Sequence, residues 1–171
     1  TEEQKTQYFH RSFSAVDGLW FMKAEDRYDF DTALALDGEV WKVLPKIQAR
    51  MMKKMGNLSE GIEALKNAME TKLALEGHVF TIQPREDGPG FTVLITECPW
   101  NNLMIKSGRQ HLAEKVGRTV CRVEYPAWAA EYGVSVSFVM ERLLCGGSDT
   151  CVMSFAPDGD KTDDNDDEIG Q

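Results

Sequence analysis

The spacing of apolar residues changes along the chain, and this change restricts the fold more than any other feature of the sequence. In the first half, apolar residues recur every three or four positions, which is the period of a helix with one apolar face. The first such segment runs from Glu2 to about Ala24, and its apolar positions are Tyr8, Phe9, Phe13, Val16, Trp20 and Phe21. From Val79 onward, short segments alternate with a period of two, as strands do. Helices and strands are therefore segregated, which predicts an α+β domain with an antiparallel sheet.

Two further helices are predicted in the first half. Either Asp29 or Asp31 can cap the second helix, and Pro45 lies inside its apolar stripe, where proline kinks or splits a helix. We expect that stripe to be buried, and it consists of Leu36, Val40, Val43, Leu44, Ile47 and Met51. A third helix extends from Ser59 to about Leu75. These helices are the predicted cover of the sheet.

The second half predicts two hairpins. The first joins residues 79–83 to 91–95 through a turn rich in glycine and proline, and the second joins 134–140 to 150–155. Between the hairpins lie three helical segments, at Pro99–Lys106, 109–116 and 119–132, with Pro126 interrupting the last. The predicted fold is thus a set of N-terminal helices packed on a small antiparallel sheet, with a helical insertion between two hairpins.

The 171 residues suit one domain, which we expect to span residues 1–157. The net charge of -9 is uneven, because residues 158–171 hold seven acids against Lys161. Such a segment has too little apolar surface to order itself, so a flexible acidic tail is predicted. An acidic chain is a poor partner for nucleic acid, and no run of ~18 apolar residues predicts a membrane span. The first residues also lack the pattern of a signal peptide. The sequence therefore predicts a cytoplasmic protein.

The second half contains all four cysteines, and no pair has the CxxC spacing typical of zinc sites. Cys98 precedes Pro99, a favoured first helical residue, so its sulfur is expected at a helix N-terminus, where the dipole favours the thiolate. Cys145 and Cys151 flank the turn between the last two strands, and Glu141 can add an oxygen ligand to them. We expect these cysteines to be reduced rather than joined in disulfides.

Three interpretations of the cysteines remain open. They can be buried and unreactive, because free cysteine packs as a small hydrophobe. They can form a metal site for zinc or an iron–sulfur cluster, with the candidate ligands Cys98, Cys121, Glu141, Cys145 and Cys151. Alternatively, Cys98 can be a nucleophile, which requires His78 or His111 as its base.

Two carboxylates in the first half lie on otherwise apolar helix faces. Asp17 is one turn from Trp20, and Asp37 is one turn from Trp41. A carboxyl group on a buried face needs a hydrogen-bonding partner or a raised pKa, whereas one at the edge of the face simply contacts water. The first alternative predicts that these four residues line an aromatic pocket for a small organic ligand.

Several segments carry resemblances to known families. The segment Asp17-Gly18-Leu19-Trp20-Phe21 and the residues around Asp37 and Trp41 resemble a family of uncharacterised prokaryotic cytosolic proteins. The segments Glu97-Cys98-Pro99-Trp100 and Gly147-Ser148-Asp149-Thr150-Cys151 resemble the L-2-amino-thiazoline-4-carboxylate hydrolase-like family. The C-terminal half also resembles the 4-vinyl-reductase-like, hydrocarbon-binding domain of aromatic-sensing transcription activators.

The last resemblance implies a small α+β domain, often dimeric, with a ligand pocket. In that group a zinc ion is held by Cys, Glu, Cys and Cys in this order, and the matching positions here are Cys121, Glu141, Cys145 and Cys151. The expected function is therefore a metal-containing small-molecule-binding or sensor domain, with a possible homodimer. The alternative is a hydrolase of a small cyclic amide or thiazoline that uses Cys98 or a metal-bound water.

Overall fold

The computed structural model describes residues 1–133 and 139–157. Within these ranges the helices are α1 (Glu2–Arg27), α2 (Phe30–Trp41), α3 (Leu44–Gly56), α4 (Ile62–Leu75), α5 (Pro99–Lys106) and α6 (Gln110–Glu131). The strands are β1 (Val79–Pro84), β2 (Phe91–Glu97), β3 (Val139–Arg142) and β4 (Cys151–Phe155), with a 3₁₀ turn (Leu144–Gly146) before β4. The α+β class is confirmed. The predicted strand residues 134–138 and the acidic tail at 158–171 lie outside the described residues, as do the side chains of 139–141.

The four described strands form one antiparallel sheet in the order β1-β2-β4-β3. Both predicted hairpins are present, and the pairing of β2 with β4 joins them. Alternate residues of β2 are buried on one face, so that Phe91 lies opposite Phe155 of β4, with their rings stacked 4.8 Å apart between centroids. Val93 is likewise paired with Met153. This apolar face is what the helices cover.

The core lies between the sheet and helices α4 and α6. Helix α4 contributes Leu65, Met69 and Leu73, which are fully buried as their spacing predicts. Helix α6 contributes Tyr125 and Trp128. Removing one such large side chain from water is worth about 1.5–3 kcal/mol, so this layer is the main source of stability in the described part of the chain.

Helix α6 is a single helix of 22 residues, where the sequence predicted two segments and an interruption. Gly117 and Pro126 both lie inside it. Proline in a helix interior costs about 3 kcal/mol or more, and glycine about 1 kcal/mol. The buried face of α6 packs on the sheet and on α2, α3 and α5, and this packing outweighs the local cost.

The apolar stripe of α2 and α3 is not buried, contrary to the prediction. Its members are 52–56% exposed, apart from the half-buried Leu44, and they are Leu36, Val40, Val43, Ile47 and Met51. The buried residues are mostly small instead: Ala33, Gly38 and Ala49 are buried, together with Leu34, and a Cβ at Gly38 would lie 3.4 Å from Thr119 Cγ2 of α6. Small side chains let two helices approach closely, so the close contact with α6 at Gly38 favours this side and leaves most of the larger residues outside.

The boundaries of α2 and α3 follow local sequence. The Asp29 carboxylate accepts the N–H of Thr32 at 2.7 Å and caps α2, as predicted. Pro45 occupies the first turn of α3, so the predicted split falls between Trp41 and Leu44. Helix α4 begins at Ile62, later than the sequence indicates.

Helix α1 is the least embedded element, because none of its 26 residues is buried. Phe21 contacts Phe30 of α2 edge-on at 5.7 Å. The carboxylate of Glu25 pairs with Arg109, at the start of α6, at 2.6 Å. These contacts fix the C-terminal part of α1 over α2. No described helix combines the length and the apolar character needed to cross a bilayer.

Candidate functional site

A pocket of about 930 Å³ lies between α1 and α2. Its walls are mostly apolar or aromatic and include Phe21, Tyr28 and Leu36. Asp17 and Asp37 lie in the same pocket, and Trp20 forms part of its rim. The indole of Trp20 is 73% exposed, so the pocket is open at this side.

The surroundings of the two carboxyl groups in the pocket disfavour their charged forms. Burial, together with the charge of Asp17, raises the pKa of Asp37 to about 6, although a hydrogen bond from Trp41 opposes both effects. Burial also raises the pKa of Asp17. No basic side chain among the described residues pairs with either group. Two cations also line the pocket, but Lys23 pairs with Asp26 at 2.8 Å and Arg27 lies over the ring of Tyr28. Two partly desolvated carboxylates that neither cation pairs with favour a cationic ligand.

The four residues predicted to bind a ligand are thus neighbours in the fold. Asp17, Trp20 and Asp37 line the pocket directly, and Trp41 reaches it through its hydrogen bond to Asp37. That these four residues bind a ligand stays a prediction.

The four cysteines converge from separate elements. All are free and half-buried: Cys98 precedes α5, Cys121 lies in α6, Cys145 lies in the 3₁₀ turn and Cys151 begins β4. Burial is the main cause that raises the pKa of Cys121, and the charges of Glu124 and of the other three thiols add to it. Burial likewise raises the pKa of Cys145 most, followed by Cys151 and Cys98. The four thiols are therefore near enough to interact electrostatically, and we call them the thiol cluster.

The thiol cluster is electrostatically unfavourable for thiolates. Burial raises the pKa of all four cysteines, and that of Cys145 rises to about 11. The Cys151 sulfur accepts the N–H of Leu144 at 3.2 Å. The N–H groups of Trp100 and Asn101 favour the Cys98 thiolate, as its place at a helix N-terminus predicts, but burial outweighs them. At neutral pH the cluster therefore consists of protonated thiols.

Gly117 of α6 makes room for the thiol cluster. A Cβ at this position would lie 2.7 Å from the Cys145 sulfur and 3.6 Å from the Trp100 ring. A carbon and a sulfur atom cannot approach so closely without a shift of one of them. The sulfur of Cys145 thus occupies the space that the side chain of any residue other than glycine would need at position 117.

The thiol cluster suits a soft metal by the type of its donors but not by their present arrangement. Sulfur ligands select zinc or iron–sulfur clusters. However, no three His, Cys, Asp or Glu side chains within the described residues are placed so that they could hold a metal ion. The side chain of Glu141, the predicted oxygen ligand, is outside the described residues. Metal ligation would therefore require a different arrangement of these side chains.

A buried ionic group that we did not predict lies next to the thiol cluster. The Lys72 ammonium is 2.8 Å from Glu124 and 2.6 Å from Glu76, and it faces the ring of Trp128 at 5.8 Å. Burial would lower the pKa of Lys72, but the two carboxylates raise it above its usual value. The sequence contained a sign of this pair, because Lys72 and Glu124 both lie on helix faces whose other members are apolar.

The two candidate bases for Cys98 occupy different surroundings. His111 is exposed in the first turn of α6. His78 lies beside the Lys72 group, where burial and the Lys72 charge lower its pKa to about 4, so its ring is neutral at pH 7. Neither histidine is among the groups that shift the pKa of Cys98.

Residues 6–151 match DUF6125, a family of unknown function. This range includes the α1/α2 pocket and all four cysteines. No characterised protein and no solved structure matches the chain. The resemblances to thiazoline hydrolases and to hydrocarbon-binding domains therefore stay predictions.

Proposed function

We propose that this chain, which belongs to the DUF6125 family of unknown function, is a small-molecule-binding domain whose α1/α2 pocket binds an organic cation. One observation carries the proposal: Asp17 and Asp37 share an apolar pocket in which no described basic residue neutralises them. Two raised carboxyl pKa values destabilise the folded chain unless a ligand compensates for them. An ammonium group would do so.

The pocket walls define the rest of the ligand. Trp20 at the rim offers an indole face, which attracts cations by about 0.5–2 kcal/mol. Phe21 and Leu36 form apolar walls for an aliphatic or aromatic body. The expected ligand is therefore an amine with an apolar body. Its binding releases protons from Asp37, whose pKa lies at about 6, so affinity should rise between pH 5 and about pH 7.

Calorimetry with matched pairs of compounds tests this proposal. We expect aromatic and aliphatic primary amines to bind, and alcohols of the same shape to bind at least about tenfold more weakly, which corresponds to ~1.4 kcal/mol. The variant Asp37→Asn should lose a similar factor for the amines. The control Glu63→Gln removes an exposed carboxylate on α4 that is paired with Lys66, and should bind as the wild type does. Equal binding of amines and alcohols would contradict the proposal.

We also propose that the thiol cluster binds zinc or an iron–sulfur cluster. The observation that favours this second site is the convergence of four free thiols on Cys121. A metal must displace the protons of these thiols, so its affinity should fall steeply as the pH is lowered. The site would tie α6 to the end of the sheet.

Metal analysis and the visible spectrum of protein purified without oxygen test the second site. Zinc leaves the protein colourless, whereas an iron–sulfur cluster absorbs visible light. We expect about one metal centre for each chain in the wild type and a loss of it in Cys121→Ser, with Ser107→Ala, directly after α5, as the control. Protein that contains no metal, and whose thiols gain no protection from added zinc, would refute the site.

The hydrolase alternative has weaker support. It needs a reactive Cys98 thiolate or a metal-bound water, and burial disfavours that thiolate. If Cys98→Ala retains full turnover of every thiazoline or cyclic amide that the wild type hydrolyses, the nucleophilic version is excluded.

A further inference from the structure

Helix α1 presents an exposed apolar seam to solvent. Its members follow one another at intervals of four, three and four residues, which keeps them on a single side of the helix. They are 48–73% exposed and comprise Phe9, Phe13, Val16 and Trp20. No residue of α1 is buried, so this regular seam serves no packing purpose within the described part of the chain.

The seam continues onto α2 across the rim of the pocket. Trp20 lines the pocket together with Leu36 and Val40 of α2, and both of these are more than half exposed. Large apolar side chains have areas of about 150–250 Å² when fully exposed. Tyr8 and Leu19 of α1 are also 67% and 52% exposed. These two residues, the seam and the two α2 residues together expose an apolar area on the order of 1,000 Å², which we call the apolar patch.

The size of this patch suits a stable protein interface. The largest apolar patch of an ordinary monomer is about 300–600 Å², whereas a standard interface buries about 800 Å² on each partner. The patch is therefore larger than the apolar patches of ordinary monomers, and its area is sufficient for one side of a standard protein interface.

The symmetry of the seam indicates that the partner is another α1. The charges at the helix ends do not decide the partner, because Glu2 and Glu3 begin α1 and Arg27 ends it beside Glu25 and Asp26. An antiparallel copy does align the two helix dipoles favourably. The seam has matching symmetry, because an antiparallel pairing that sets Phe9 against Trp20 of the second copy also sets Phe13 against Val16 of that copy.

We infer that a second copy of this chain covers the apolar patch, with the two α1 helices packed antiparallel through their seams. The contact is isologous, so one patch serves both copies and the assembly closes as a dimer. It also supplies protein at the open rim of the α1/α2 pocket near Trp20. The inference rests on the exposed apolar area and on the symmetry of the seam, and it stands independently of the ligand proposed for the pocket.

Sedimentation of the full chain over a range of concentrations tests the dimer. We expect a dimer for the wild type and a monomer, or at least a tenfold weaker dimer, for Phe13→Glu and Val16→Glu, because each places unpaired charges in the seam. Both positions are exposed, so far-UV circular dichroism should show an unchanged helix content. The control Leu75→Glu alters an equally exposed residue on α4 and should remain dimeric. A wild type that is monomeric at all concentrations would overturn the inference, and so would a dimer that both seam variants retain.

Cross-linking tests the antiparallel order. Copies carrying Phe13→Cys should form disulfides with copies carrying Val16→Cys faster than either variant forms them with itself. The native cysteines are half-buried, and mass spectrometry distinguishes their products. Preferential disulfides between two Phe13→Cys copies would indicate parallel helices and overturn the proposed arrangement.

Discussion

At the scale of single residues, Asp37 shows how the fold alters the chemistry of a side chain. Its carboxyl group has a pKa of about 6 instead of 3.8, so the folded chain holds a proton that the unfolded chain releases. Stability therefore decreases as the pH rises from about 4 to 6, since the folded state binds more protons in this window.

The variant Asp37→Asn should remove this penalty. We expect its free energy of unfolding at pH 7 to exceed that of the wild type by about 1 kcal/mol, a value that allows for the partial exposure of the group to solvent. Below about pH 3 the two proteins should be equally stable, because the carboxyl group is then mostly protonated in both states. Urea unfolding at about pH 3 and pH 7 measures this difference, and a variant less stable at pH 7 would argue against a destabilising carboxylate.

Two glycines inside helices allow a matched test of the thiol cluster. Gly18 in α1 has open space around it, whereas Gly117 in α6 lies against the Cys145 sulfur. Alanine at either site gains about 1 kcal/mol in helix propensity. We expect Gly18→Ala to be more stable than the wild type, and Gly117→Ala to be less stable by about 1–2 kcal/mol, because overpacking outweighs the propensity.

Thermal unfolding of both glycine variants checks this prediction. The double variant Gly117→Ala with Cys145→Ala removes the clashing sulfur and should recover most of the loss. If Gly117→Ala were as stable as Gly18→Ala, the close packing of α6 on Cys145 would be wrong.

At the scale of elements, the joint between α4 and α6 depends on a buried charge. Lys72 and Glu124 are 3% and 6% exposed, and each compensates for the desolvation of the other. A buried ion pair contributes little net stability, but the loss of one partner typically costs 3–5 kcal/mol. The interface between these helices is therefore specified by the pair as well as by apolar packing.

The variant Lys72→Met should be destabilised by about 3 kcal/mol, because it leaves Glu124 buried without its cation. The double variant Lys72→Met with Glu124→Leu should be markedly more stable than the single variant. Lys66→Met on the same helix is the control, because Lys66 pairs with the exposed Glu63 and its loss should cost less than about 1 kcal/mol. Urea unfolding distinguishes these outcomes. If Lys72→Met were as stable as Lys66→Met, another group or a bound proton would have to neutralise Glu124.

Helices α2 and α3 show what periodicity alone leaves open. The sequence predicts a cap at Asp29 or Asp31, of which Asp29 is the one found, and it correctly predicts the break near Pro45. It does not show that the buried side of these helices consists mainly of small residues such as Gly38 and Ala49, which allow a close approach to α6. Which side is buried depends on the shape of the neighbouring helix.

At the scale of the whole molecule, the exposed seam of α1 couples stability to concentration. If the folded chain is dimeric and the unfolded chain is not, mass action makes the melting temperature rise with protein concentration. We expect this rise for the wild type, measured by calorimetry over a hundredfold range. Val16→Glu should melt at a constant temperature. A constant melting temperature for both proteins would speak against the dimer.

The sequence by itself determined the α+β class, both hairpins and several helix boundaries, because these depend on local spacing, capping and composition. Only the tertiary structure decided that Asp17 and Asp37 share one pocket, that the four thiols interact with one another and that Cys145 packs against Gly117. It also decided that Lys72 and Glu124 pair in the core and that most of the large apolar residues of α1 to α3 are exposed. The physical reason is the same in each case: contacts between distant segments depend on how closely two surfaces can approach, and that is a property of pairs of elements rather than of either sequence segment alone.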